Sequence, residues 1–138
     1  MRLVRDRRGT ALAELAIVMP ILMALVIGIM VFGQAYWAEL TVSGAAREGA
    51  RLYAVNGDTS QVRARVVDSL ASGGLRTQPP NFSPASDIRL SGSGEEYIWV
   101  AVTYRQPTII PGLGAILGGS PYPNYFSLTA KAVFRNER

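Results

Sequence analysis

The chain of 138 residues contains no cysteine and no histidine. Without cysteine there is no disulfide framework and no thiolate metal site. Without histidine there is no Ser-His-Asp triad, no imidazole ligand for zinc and no imidazole proton shuttle. The serines therefore lack the usual base that activates a hydroxyl nucleophile. Charge is also scarce, at 17% of residues against about 25% in soluble domains. The stretch GLGAILGG is not a phosphate loop, because no Lys follows it directly. Asp58, Asp68, Asp87, Glu95 and Glu96 are the main acidic candidates for a cation or acid–base site. Glu95 and Glu96 border a Gly-rich turn, but EF-hand spacing is missing and no carboxylate pair is singled out. A solvated turn is the simpler reading. No enzyme activity, cofactor, metal or small-molecule substrate is expected.

What charge there is lies unevenly. Arg2, Arg5, Arg7 and Arg8 stand in the first nine residues against Asp6 alone. Residues 10–138 hold ten basic and nine acidic groups. No later stretch combines Arg and aromatics as a nucleic-acid groove requires, so nucleic acid is not an expected partner.

Behind this basic tag, residues 15–33 carry no charge: LAIVMPILMALVIGIMVFG. A helix over residues 15–38 reaches about 36 Å, enough to cross a hydrocarbon core of about 30 Å. Tyr36 and Trp37 follow, where an aromatic interface belt lies. The four Arg place the N-terminus in the cytoplasm and the remainder outside. A chain this small scarcely covers such a helix on all sides, which argues against a buried core helix. Ordinary signal cleavage after Ala35 is the lesser alternative, since the run exceeds the h-region length of about 7–15 residues.

Glu14 stands at the start of the apolar run. A carboxylate there costs up to about 2.5–3.5 kcal/mol if carried to the bilayer centre, and less near the interface. One reading keeps it among headgroups in the first helical turn, where the helix dipole favours an anion. The other supposes a cut after Gly9. Thr10 then gains an α-ammonium, with Glu14 four residues on along the same helix face. The carboxylate would pair with that cation or with a neighbouring subunit's.

At these residues the stretch RRGTALAELAIVMPILMALVIGIMVFG resembles the N-terminus of the TadE-like family, pseudopilins of the tight-adherence (Flp-type) pilus system. It is similar, more loosely, to type IV pilin leaders. Gly9, Glu14, Pro20 and the segment Ala46, Arg47, Glu48, Gly49, Ala50 and Arg51 carry the resemblance, which spans residue 7 to about residue 54. Leu15 stands where the family usually has an aromatic. The resemblance implies that a prepilin peptidase cuts after Gly9, removing a basic leader and making Thr10 the first residue. It implies that Glu14 registers subunits during assembly. The function it implies is structural: a pseudopilin or minor pilin of Flp pilus assembly or an allied secretion machine. The implied partners are membrane lipid, the peptidase, other pilins and pseudopilins, and the assembly platform. The implied location is the bacterial inner membrane, single-pass, with incorporation in a pilus as one outcome. The alternative is a signal-anchored envelope protein that keeps residues 1–9 and whose head binds a partner.

The expected fold class is α+β: a long N-terminal transmembrane and stalk helix, a second short helix, and a small antiparallel sheet of about three strands. Residues 1–9 form the leader, 10–36 the membrane helix and 37–138 the head. Leu15, Pro20, Gly28 and Gly33 mark the membrane helix. It continues over 37–54, where Val42, Ala45, Ala46, Gly49, Ala50 and Tyr53 fit the i, i+3, i+4, i+7 template, opposite Ser43, Arg47, Glu48 and Arg51. Two helices with a bend near Gly33 or Gly44 remain an alternative. Asn56-Gly57 ends the run. A second helix over 59–72 has Asp58 as N-cap, Gln61 as capping-box partner, and Val62, Val66, Val67 and Leu70 on its apolar side. Arg63, Arg65 and Asp68 read as its wet side. Gly73-Gly74 stops it. Residues 76–86 read as a loop. Period-two alternation predicts strands near 87–91, 97–104 and 126–134. The connection 106–125 holds Ile109, Ile110, Leu113, Ile116 and Leu117 among four Pro and four Gly. That apolar group is either a patch for a partner or the membrane surface, or a plug for one end of the core.

Overall fold

The structure, a computed structural model, describes residues 7–91, 96–108 and 125–136. Its elements are α1 (Arg7–Asn56), α2 (Thr59–Ser72), α3 (Pro84–Asp87), β1 (Ile88–Leu90), β2 (Tyr97–Pro107) and β3 (Tyr125–Arg135). The arrangement is α+β, with a long apolar helix, a shorter second helix and a three-stranded antiparallel sheet. The chain divides into two compact units, Met1–Gly33 and Gln34–Arg138.

In the first unit α1 is helical from Arg7 and continues through Pro20. Pro20 supplies no N–H, so one carbonyl of the preceding turn loses its helical partner. Large apolar side chains such as Ile17, Ile21 and Phe32 are exposed. None of the most apolar stretch is buried, and the helix is long and apolar enough to cross a membrane.

The second unit has its own core. The later part of α1 contributes Ala38, Val42, Ala45, Ala46, Ala50, Tyr53 and Ala54, spaced by three and four. Val62, Val66 and Leu70 of α2, Ile98, Val100, Val102 and Tyr104 of β2, and Phe82, Ile88 and Ala132 join it. The sheet order is β1-β2-β3, with Val100 opposite Leu90 on one side and Ala132 on the other. On β3 only Ala132 is buried, while Phe126 and Phe134, on the same face, stay exposed. Core cover therefore falls off along the outer strand.

Turn chemistry fixes the helix ends. Gly57 adopts φ 66°, a left-handed conformation that suits glycine, and its N–H donates to Tyr53 O at 3.1 Å. Asp58 caps α2 by accepting from Ser60 N–H at 2.8 Å, and Gln61 Nε2 donates to its carboxylate at 2.9 Å. α1 is one helix from Arg7 to Asn56.

The region expected as a loop at 76–86 is more ordered than its composition implies. Pro84 stands in the first turn of α3, and Ser86 and Asp87 N–H donate to Ser83 O. Phe82 is fully buried, its ring 6.4 Å from that of Tyr104. Asp87 closes α3 rather than opening β1, while β2 and β3 extend to Pro107 and Arg135.

Candidate functional site

The N-terminal motif lies on the exposed part of α1. Gly9 is helical, and a Cβ placed on it would meet nothing within 4 Å; the same holds at Gly28 and Gly33. The fold in itself does not require glycine at these positions. Glu14 makes no hydrogen bond or ion pair among the described residues. With Ala11, Leu15 and Val18 it lines an open cleft of about 250 Å³. Thr10 and Glu14 are both exposed on the helix.

The second motif, residues 46–51, is a joint between elements. Ala46 and Ala50 are buried. A Cβ on Gly49 would stand 2.6 Å from Val66 Cγ2 and 3.6 Å from both Val62 Cγ1 and Val100 Cγ1. Glycine is needed here because Val66 of α2 approaches α1 too closely for a methyl group, while Val62 and Val100 lie at ordinary contact distance. On the other side Glu48 Oε1 accepts from Arg65 Nη2 at 3.1 Å and from Arg51 Nη2 at 3.4 Å. The two guanidinium groups hold the Glu48 carboxyl below its ordinary range. Arg47 is exposed and makes no ion pair among the described residues.

A further contact joins α1 and α2 within the same unit. Trp37 Nε1 donates to Gly73 O at 3.1 Å, and a Cβ on Gly73 would overlap the Thr41 side chain. Trp37, expected only as an interface aromatic, also secures the C-terminus of α2.

Three of the acidic candidates, Asp58, Asp87 and Glu96, are engaged in structure. Asp58 is the N-cap. Asp87 is 4% exposed and forms a two-pronged pair with Arg105 at 2.9 and 3.2 Å. Ser83 N–H donates to the same carboxylate at 2.8 Å. Glu96 meets Arg135 at 3.8 Å on the surface. Arg63, expected to be solvated, is half-buried and donates to the carbonyls of Pro84 and Ala85. Arg65 is drawn across to Glu48, while Asp68 is exposed as expected. Sequence spacing missed the Asp87–Arg105 pair because its members lie 18 residues apart on different elements. Among the described residues no group of three or more metal-ligating side chains occurs. Residues 1–6, Glu95 and the positions Ile109, Ile110, Leu113, Ile116 and Leu117 lie outside the described residues.

These features define a class: a chain whose described residues include one apolar helix long enough to cross a membrane and a small α+β unit whose acidic residues include structural caps and ion pairs. Comparison with protein families narrows it. Residues 9–51 match the family described as TadE-like protein, and over that stretch the chain is similar to it. The family is structural and pilus-related, and Gly9, Glu14, Pro20 and residues 46–51 all fall within the match. No curated protein and no solved structure matches the chain.

Proposed function

We propose that the protein is a pseudopilin or minor pilin of a tight-adherence (Flp-type) pilus, or of an allied secretion machine, made as a precursor and cut after Gly9. The carrying observation is the pairing of Gly9 with Glu14. Nothing in the fold requires the glycine, and the carboxylate is exposed on an apolar helix without a partner among the described residues. Both features gain a purpose in processing and assembly. A prepilin peptidase on the cytoplasmic side selects a residue without a side chain at position 9. Hydrolysis of the Gly9–Thr10 bond leaves a carboxylate on Gly9 and an amine on Thr10, which is largely protonated at neutral pH. That ammonium, in the same or an adjacent subunit, offsets the cost of Glu14 in lipid. The apolar surface of residues 15–32 then exchanges lipid for neighbouring helices.

In this reading residues 1–9 are the leader, 10–36 lie in the bacterial inner membrane and 37–138 form the head outside. The four N-terminal Arg hold the N-terminus in the cytoplasm. Partners are the peptidase, other pilins and the assembly platform. The glycine requirement is tested by Gly9→Val in the native host. The variant is expected to keep its helical head and remain at precursor length; efficient shortening would count against the reading. Leu15, in place of the family's usual aromatic, favours a second reading: a signal-anchored protein that retains residues 1–9 and binds an envelope partner through its head.

A further inference from the structure

Among the described strands β3 has one unpaired edge. β3 ends the sheet order and pairs with β2 alone among the described strands. The register identifies the backbone groups that face outward. Asn136 N–H donates to Glu96 O at 2.9 Å, making Glu96 and Asn136 a hydrogen-bonded pair. In an antiparallel ladder such pairs recur at every second residue. Even-numbered residues of β3 therefore bond to β2. Ser127, Thr129, Lys131, Val133 and Arg135 point their N–H and C=O groups at the open edge. The link from Ser91 N–H to Trp99 O agrees, because it assigns the odd-numbered residues of β2 to β1. A strand of 11 residues with such an edge is a template for another strand.

Among the described residues, Arg47, Lys131 and Arg135 make the surroundings of this edge positive. A cleft of about 350 Å³ runs beside it, lined by Ser43 and Arg47 of α1 and by residues 130–134 of β3. Arg47 has no carboxylate partner among the described residues. Lys131, the only lysine in the chain, lies 4.5 Å over the Trp99 ring. Arg135 has the exposed Glu96 at 3.8 Å as its ion-pair partner among the described residues, a type of pair that water weakens. Val133, 55% exposed, adds an apolar contact between the cations. Two copies meeting edge to edge would crowd two sets of these cations, and like charges across strands repel. Charge complementarity selects a negatively charged occupant instead.

The geometry points to the β3 edge and its cleft as a docking site for an extended acidic segment of another protein, added as a fourth strand. Backbone bonds to the odd-numbered residues of β3 supply affinity. Carboxylates on the two faces of the incoming strand meet Lys131 on one side and Arg47 on the other. The site belongs to the unit Gln34–Arg138 and does not depend on cleavage after Gly9.

The test uses the full chain in lipid nanodiscs and reads amide hydrogen exchange. The probes are a synthetic strand of about ten residues built from Glu-Glu-Val-Val repeats, which place Glu on both faces, the same strand with Lys for Glu, and the acidic strand with a central Pro. The acidic strand is expected to slow exchange at Thr129, Lys131 and Val133, and the other two are not. Val133→Pro removes an N–H that faces the open edge, leaving the β2 ladder intact, and is expected to abolish this protection. Arg47→Glu with Lys131→Glu, both surface changes, is expected to weaken binding by about tenfold. Equal protection by the Lys strand, or no loss on charge reversal, would overturn the proposal. So would protection in the free chain that rises with protein concentration, which assigns the edge to a second copy.

Discussion

Asp87 and Arg105 face each other through two hydrogen bonds, at 2.9 and 3.2 Å, with the carboxylate buried. Arg105 also exchanges backbone bonds with Asn81, accepting from its side chain at 3.0 Å and donating to its carbonyl at 3.0 Å. One residue of β2 thus secures both ends of the segment 81–87. Asp87→Ala would leave a buried donor set without its acceptor. The expected cost is about 2–3 kcal/mol, moderated because the Arg105 side chain is 36% exposed and can turn to water. Denaturation followed by fluorescence of Trp37 and Trp99, both in the second unit, measures it.

Two helical glycines should respond in opposite ways to the same change. Gly49→Ala places a methyl 2.6 Å from Val66, a stiff and fully buried side chain. A loss of about 1–3 kcal/mol is expected from overpacking. Gly44→Ala meets nothing within 4 Å. There a gain of about 0.5–1 kcal/mol is expected from helix propensity. Melting temperatures of the two variants, compared in one detergent, check both signs.

The pH dependence has two limbs. Glu48 is lowered by its bonds to Arg51 and Arg65, and Asp58 by its bonds to Ser60. Their stabilisation is complete above the ordinary carboxylate range and is lost as pH falls through their folded values. Tyr104 is raised by burial, against a smaller opposing effect of the Arg76 N–H on its hydroxyl. Its contribution is present below the ordinary tyrosine range and is lost as pH rises through its folded value. Glu48→Gln should flatten the acid limb, and Tyr104→Phe the alkaline one. Salt should shrink the Glu48 effect, since that pair is on the surface.

Local signals were readable before the fold was seen. Asp58 and the Gly73-Gly74 stop bound α2 because capping is decided within a few residues. The small-residue side of α1 and the inward face of β2 follow from periodicity alone. What escaped depends on partners distant in sequence. Phe82 looks like a loop residue until Tyr104 covers it, and Arg63 looks solvated until α3 supplies its carbonyls. Alternation placed Phe126 and Phe134 on the inner face of β3 but gave no sign that the cover stops short of them. Residues 46–51 were visible as a motif, while their role in closing α1 onto α2 and β2 required the Gly49 geometry.

Glu14→Ala separates insertion from assembly. Removing a charge from an apolar helix favours membrane insertion, so the variant should fractionate with the membrane and be shortened like the parent. Co-purification with other pilus subunits should fall. Undiminished co-purification would remove the pairing with Thr10 from the account.

The central claim is processing between Gly9 and Thr10, and the intact mass and N-terminal sequence of the protein extracted from its native membrane test it most directly. The account predicts a chain that begins at Thr10. A chain beginning at Met1 would contradict it and leave a signal-anchored protein, and one beginning at Tyr36 would contradict the membrane helix as well.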